Sequence, residues 1–269
     1  MSGPSFAIII PARFGSSRFP GKPLAPLAGA TGIEKPLIQR SWECASQVPG
    51  CVGVWVATDD ERIAEAAAGF GAQVVMTSAD HQNGTERCAE AAAIVASDSD
   101  IIVNFQGDAP LSPPFVVGEL VDALRRDPEA LVSTPAMRCS RELFEHLMAD
   151  RSVGRVGGTT IVIGQNDRAI YFSKEVLPFF PASAALASNP PVHLHLGIYA
   201  YRQSALQLYR GAPACELEQL EGLEQLRFLD LAIPIRVVRL EKLSWDPIEL
   251  NNPSDTQAIE RVLLRRGIS

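Results

Sequence analysis

The stretch Ile8–Leu24, IIIPARFGSSRFPGKPL, leaves an apolar β-branched run and passes directly into Arg13, Arg18 and Lys22, interleaved with Gly15, Ser16, Ser17 and Gly21. Glycine and serine let backbone N–H groups come close to phosphate oxygens, and three cations supply the countercharge that a departing polyphosphate requires. Neither G-x-x-x-x-G-K-[ST] nor G-x-G-x-x-G spacing is present. The stretch therefore reads as a phosphate cradle of another kind, with a basic surface loop as the plain alternative. Asp108, in Q-G-D-A-P (106–110), follows the run IIVNF. A single carboxylate at such a strand end suits a Mg²⁺ that keeps most of its waters and binds substrate phosphates, and an ordinary Gly-Asp turn would use the same residue. In TSADHQNGTER (77–87), Asp80, His81, Gln82 and Asn83 precede a helix start at Gly84. Their amide and backbone groups can read a base edge or simply cap the helix. His193 and His195 fall on one side of a strand in HLHLG, with no third metal ligand nearby, so hydrogen bonding is expected of them.

The elements that must position these groups are legible from apolar period. FAIII (6–10), GVWVA (53–57), QVVM (73–76) and IIVNF (101–105) read as strands, and the segments near 35–48, 60–70, 84–97 and 113–126 read as helices. Continuous apolar strands alternating with helices predict an α/β fold with a doubly wound, mostly parallel sheet covered on both faces. In such a sheet the loops after 10, 57, 76 and 105 lie together at the carboxyl ends of the strands, where ligands bind. Beyond residue 130, LVSTPAM, TTIVI, RAIYF and HLGIYAY predict a smaller, antiparallel-rich lobe, and 182–191 reads as a mobile loop. A helix is expected over 216–229, with Leu217, Leu220, Leu223 and Leu226 as its buried stripe and Glu224 and Gln225 in solvent. IPIRVVRL (233–240) returns to the sheet, and a last helix is expected with a Ser254–Gln257 capping box and Gly267 as its stop. The division that follows is 1–130 for nucleotide binding, 131–215 for the smaller acceptor and dimerisation lobe, and 216–269 returning to the core.

Composition narrows the class. A net charge of -7 argues against a nucleic-acid partner, which needs a basic face, so the cations must act locally; only four are lysines, Lys22 among them. No run approaches the roughly 20 apolar residues of a membrane span, and the start lacks the flanks of a secretory signal, so a cytoplasmic protein is expected. Five cysteines without C-x-x-C spacing suggest neither disulfides nor zinc.

In order along the chain, IIPARFGSSRFPGKPL, VATDDERIAEAA, MTSADHQNGTER, VNFQGDAP, IYFSKEVLPF, HLGIYAY and LEQLEGLEQLR resemble the CMP-Kdo synthetase family of cytidylyltransferases, which belongs with the nucleotide-diphospho-sugar transferases. The resemblance implies a Rossmann-like fold, CTP and Mg²⁺ as co-substrate and cofactor, and a homodimer. It implies that Arg13, Lys22 and Asp108 carry the chemistry. Pro11, Ala12, Arg13, Gly15, Ser16, Ser17, Arg18 and Lys22 would hold the phosphates, and Asp80, His81, Gln82, Gly84, Thr85, Arg87 and Gln106 would surround the nucleoside. Gln106, Lys174, His195, Tyr199, Glu224 and Gln225 would face the acceptor.

The departures from the family pattern bear on the acceptor. Ala109 stands where QGDEP has its glutamate. LNNPSD replaces V-D-T-P-E-D, putting Asn251 where a second metal-binding aspartate is expected, beside Asp108. Lys174, Pro181 and Thr160 stand where the family has two arginines and a lysine. A phosphonate oxygen is already anionic and needs less metal activation than an anomeric hydroxyl. The expectation is therefore transfer of CMP from CTP to a small phosphonate of the phosphonoformate type, with Kdo as the alternative acceptor and an inactive nucleotide-binding paralogue as a further one.

Overall fold

The computed structural model describes residues 4–15, 19–181, 190–241, 243, 248–250 and 252–269. All seven residues of strand β1 (Phe6–Ala12) are buried, because both faces of the strand are covered. It pairs in parallel with β4 (Val54–Thr58) on one side and β6 (Ile101–Phe105) on the other, and β5 (Gln73–Met76) extends the parallel array beyond β4. Alternate β1 residues serve two cores. Ile8 and Ile10 pack with Ile38, Ile63 and Val116 of helices α1 (Leu37–Ala45), α2 (Glu61–Gly69) and α4 (Pro114–Arg126), whereas Ala7 and Ile9 pack with Cys88, Ala91 and Ala92 of α3 (Gly84–Val95). This is the doubly wound arrangement that the continuous apolar strands predicted.

The strand order β5-β4-β1-β6 makes the chain move outward through β4 and β5 and then cross to the far side of β1. The β1/β6 boundary is thus the point where the winding reverses, and a crevice opens beyond the carboxyl ends of these two strands. A short hairpin, β2 (Pro26–Ala28) with β3 (Glu34–Pro36), follows the first loop.

The sheet continues without a break past residue 130, changing sense as it goes. β11 (Ile198–Arg202) lies antiparallel between β6 and β7 (Val132–Arg138), and β12 (Ile235–Leu240) runs parallel to β7. β10 (His193–His195) pairs with the end of β7 and with β8 (Thr160–Ile163), and β9 (Ala169–Ser173) closes that edge. Helices α5 (Arg141–Ser152) and α6 (Gln203–Gly211) flank this half. Among the described residues no helix is long and apolar enough to cross a membrane.

Two local expectations are corrected. The segment 216–229 is two short helices, α7 (Glu216–Glu221) and α8 (Leu226–Asp230), broken where Gly222 adopts a left-handed φ of 60°. Leu217 and Leu220 are consequently exposed, and Leu223 and Leu226 are buried. The turn also carries Glu224 and Gln225 inward, not into solvent. At the C-terminus, the Asn252 side chain accepts from the backbone and the Asp255 carboxylate accepts from the Asn252 N–H, so this pair forms the capping box assigned above to Ser254 and Gln257. Helix α9 (Thr256–Arg266) stops at Gly267, φ 66°, as expected.

Candidate active site

The loops after β1, β5 and β6 converge with residues around 194–199, 214–225 and 248–255 on a cleft of about 1010 Å³. The loop after β4 contributes from behind, through Asp59, 3.2 Å from the buried Arg87 guanidinium. Of the residues named from sequence, Pro11, Ala12, Arg13, Lys22, Gln82, Gly84, Arg87, Gln106, Asp108, His195, Tyr199, Glu224 and Gln225 line the cleft.

One end of the cleft is cationic. Gly21, φ 71°, lets the chain turn into a short helical segment that presents Lys22, whose Nζ lies 2.5 Å from Asp108 Oδ2. Arg13 Nη1 donates to the Gln82 carbonyl at 3.4 Å and ties the cradle to the loop after β5. Arg87 Nη1 donates to Thr77 Oγ1 at 2.5 Å; burial pulls its pKa down and Asp59 opposes that pull. Gly107 lets the two central strand ends close on each other. A Cβ there would sit 3.0 Å from the Pro11 carbonyl oxygen and 3.3 Å from Ile38 Cδ1, both in packed surroundings. Gly107→Val is expected to cost about 1–3 kcal/mol of stability and to weaken CTP binding, as read by thermal melting and calorimetric titration.

The other end is built from neutral acceptors, amides and carboxylates. Glu224 is half-buried, with Oε2 accepting from the Thr85 N–H at the start of α3 and Oε1 accepting from Gln106 Nε2. Burial raises its pKa, and the Thr85 hydrogen bond opposes the rise. His195 is held between Phe172, edge-on at 5.0 Å, and Tyr199 at 5.4 Å. Desolvation lowers the His195 pKa to about 3. The imidazole is therefore neutral across the working pH range, and activity should show no titration of this group between pH 5 and 8. The unfolded chain binds a proton near pH 6.5 that the folded chain refuses. His195 is thus expected to reduce stability progressively as pH falls from about 6.5 toward about 3. His195→Gln should flatten that part of the stability-against-pH curve in urea titrations.

Several expected residues stand elsewhere. The Asp80 carboxylate accepts from Ser78 Oγ, and the His81 ring pairs with Glu90; neither residue lines the cleft. Thr85 is wholly buried, its Oγ1 3.0 Å from the Tyr201 hydroxyl. Gly15 is exposed and has no atom near a would-be Cβ, and the Lys174 ammonium rests against Gly222, a lining residue, without itself lining the cleft. Ser16, Ser17, Arg18 and Asn251 lie outside the described residues, as does the 182–189 part of the loop at 182–191. Next to Asn251 in sequence, the Leu250 N–H donates to the Asp108 carbonyl at 2.9 Å, which brings this segment of the chain alongside Asp108.

A network missed in sequence joins the two ends. The buried Arg227 guanidinium grips Glu218 through both Nε and Nη2, at 2.6 and 2.7 Å, reaches Glu86 at 2.9 Å, and stacks 4.0 Å over Tyr209. Glu218 also accepts from Asn83 Nδ2, while Asn83 Oδ1 caps α3. Helical spacing gave no signal for this cluster, because it depends on the break at Gly222.

Among the described residues no group of three or more His, Cys, Asp or Glu could hold a metal. Asp108 supplies one partly exposed carboxylate beside the cradle, which fits a Mg²⁺ bound mainly through waters and phosphates and not an all-protein cage.

A cationic cradle at the reversal point of a doubly wound sheet, facing a separate polar wall, defines a nucleotidyltransferase. The family model for cytidylyltransferases matches residues 7–235. A 3-deoxy-manno-octulosonate cytidylyltransferase of Maricaulis maris is 42% identical over 263 residues, covering 98% of each chain. An 8-amino-3,8-dideoxy-manno-octulosonate cytidylyltransferase of Shewanella halifaxensis is 39% identical, covering 94% of this chain and 96% of its own. A solved structure of CMP:2-keto-3-deoxy-manno-octonic acid synthetase complexed with CTP superposes with a TM-score of 0.81 at 35% identity, over 97% of this chain and 99% of that one. The chain belongs to the cytidylyltransferase family, in its CMP-Kdo synthetase branch, and is a CTP-dependent nucleotidyltransferase.

Proposed function

We propose that the protein transfers CMP from CTP to the anomeric hydroxyl of an octulosonate sugar acid, Kdo or its 8-amino relative, releasing pyrophosphate. The observation that carries this choice of acceptor is the distribution of charge in the cleft. Among its described lining residues the arginines and lysine are Arg13, Lys22 and Arg87, all at the nucleotide end, whereas the far wall holds Gln106, Tyr199, Glu224, Gln225 and an uncharged His195. Amides, carboxylates and a neutral imidazole match a polyol. A phosphonate of the phosphonoformate type offers no hydroxyls for these groups to bind, and the relatives compared above bear octulosonate names. The volume of about 1010 Å³ suits a nucleotide beside a sugar-sized partner.

The acceptor oxygen attacks the α-phosphorus; a new P–O bond forms as the bond to the bridging oxygen breaks, pyrophosphate leaves, and the acceptor's proton passes to solvent. Arg13 and Lys22 hold the phosphates and stabilise the charge that builds on pyrophosphate. Asp108 would hold Mg²⁺, which when bound neutralises phosphate charge and lowers the pKa of the attacking hydroxyl. Lys22 would then exchange its contact with Asp108 for a phosphate. Nearly all the rate comes from positioning and charge neutralisation.

Pyrophosphate release from CTP and Mg²⁺ with Kdo, 8-amino-Kdo and phosphonoformate in parallel tests this reading. Turnover with either sugar acid is expected; turnover with phosphonoformate alone would overturn it. A homodimer belongs to the same reading, with Val153, Val156, Ile170 and Phe179 exposed on or beside the smaller lobe. Sedimentation giving a single-chain mass at micromolar concentration would remove it.

A further inference from the structure

We propose that Thr134 is a positioning residue: it fixes the proton of His195 on Nε2, so that Nδ1 accepts a hydrogen bond from a hydroxyl of the acceptor. This rests on the reading above that the cleft wall around His195 faces the acceptor. The hydrogen count decides the tautomer. Thr134 is wholly buried on β7, and its Oγ1 donates its one hydrogen to the Ile198 carbonyl at 2.8 Å. The same Oγ1 lies 2.9 Å from His195 Nε2. Having no second hydrogen, it can only accept there, so Nε2 must carry the proton and Nδ1 of the neutral ring is left bare.

The ring cannot easily turn over to evade this. The His195 N–H donates to the Thr159 carbonyl at 2.9 Å and pins the backbone. Phe172 stands edge-on to the imidazole at 82°, and Tyr199 covers another side. A flipped ring would set carbon against Thr134 Oγ1 and leave that nitrogen without its partner. Nδ1 makes no hydrogen bond among the described residues, and the ring lines the cleft. A bare nitrogen attracts an O–H donor and repels a proton-free anionic oxygen. Thr134 therefore contributes to selection of a hydroxyl-bearing acceptor without touching it.

The test is long-range proton–nitrogen NMR of the full chain labelled with ¹⁵N-histidine near pH 7, the His195 signals being those absent from His195→Gln. Wild type and Thr134→Ser should carry the proton on Nε2, whereas Thr134→Val should lose that single tautomer. In parallel, Thr134→Val should raise the KM for the octulosonate about tenfold while the KM for CTP stays within about twofold, and Thr134→Ser should behave as wild type. A wild-type proton on Nδ1 overturns the proposal, and that spectrum is decisive even if Thr134→Val fails to fold. An unchanged tautomer in Thr134→Val, or an equal rise in both KM values, also overturns it. If the wild-type tautomer is as stated but no octulosonate supports pyrophosphate release, the acceptor assignment fails while the assignment of the ring stands.

Discussion

Replacing Asp108 by asparagine is expected to cut turnover by roughly 10²–10³-fold while leaving CTP binding without metal no weaker than in wild type. The two parts have one cause. Asp108 is the carboxylate beside the cradle, and in the resting protein its Oδ2 is engaged by Lys22 at 2.5 Å. Asparagine keeps the shape and removes the charge. Without metal, the nucleotide then meets a freed Lys22 and one fewer negative group, both of which favour a polyphosphate. With Mg²⁺ present the balance reverses, because an amide oxygen is a poorer ligand for a hard divalent cation than a carboxylate. Calorimetric titration of CTP with and without Mg²⁺, beside pyrophosphate release, checks both halves. Unchanged turnover in Asp108→Asn would remove the metal assignment. Weaker metal-free binding would mean that the Lys22–Asp108 pair organises the cradle and does not compete with phosphate for the lysine.

Glu218→Ala is expected to destabilise the protein by about 3–5 kcal/mol, because it breaks a buried pair by removing one partner. Arg227 would lose both fork contacts and keep only Glu86, two long carbonyl contacts and the face of Tyr209. Asn83 would lose one of its anchors, leaving the N-cap of α3 held by the Tyr209 hydroxyl alone. The melting temperature should fall by roughly 10 °C. Glu218→Gln, which retains an acceptor oxygen, should fall less. A shift within about 2 °C for the alanine variant would mean that Arg227 finds new partners or water at little cost. Because Glu218 and Asn83 both line the cleft, the same variant should also weaken nucleotide binding in the folded fraction.

Of the positions behind the small-phosphonate expectation, Asn251 lies outside the described residues, and Lys174, Pro181 and Thr160 do not line the cleft. Thr160 directs its hydroxyl to the carbonyls of Ser173 and Glu175. A missing cation in an aligned sequence says nothing about what charge remains in the folded cleft. That balance is set by which side chains turn inward, and here they are carboxylates, amides and a neutral ring.

The sequence by itself determined the parallel half of the sheet, the placement of Arg13, Lys22, Gln106 and Asp108 at its carboxyl edge, and the stop of the last helix at Gly267. These depend on local period, on the end of an apolar strand and on the conformational freedom of glycine, all of which act within a few residues. Only the tertiary structure decided the inward turn of Glu224 and Gln225, the joining of Arg227 to Glu218 and Glu86, the withdrawal of Asp80, His81 and Thr85 from the cleft, and the proton position on His195. The Arg227–Glu86, Thr85–Tyr201 and His195–Thr134 contacts join segments 61 to 141 residues apart. One left-handed glycine breaks the helical pattern that would have held Glu218, Glu224 and Arg227 in register. Asp80 and His81 are engaged by Ser78 and Glu90, whose side chains only the folded loop and helix bring to them. Burial and hydrogen-bond satisfaction are properties of the assembled packing, and a local pattern of residue types does not encode them.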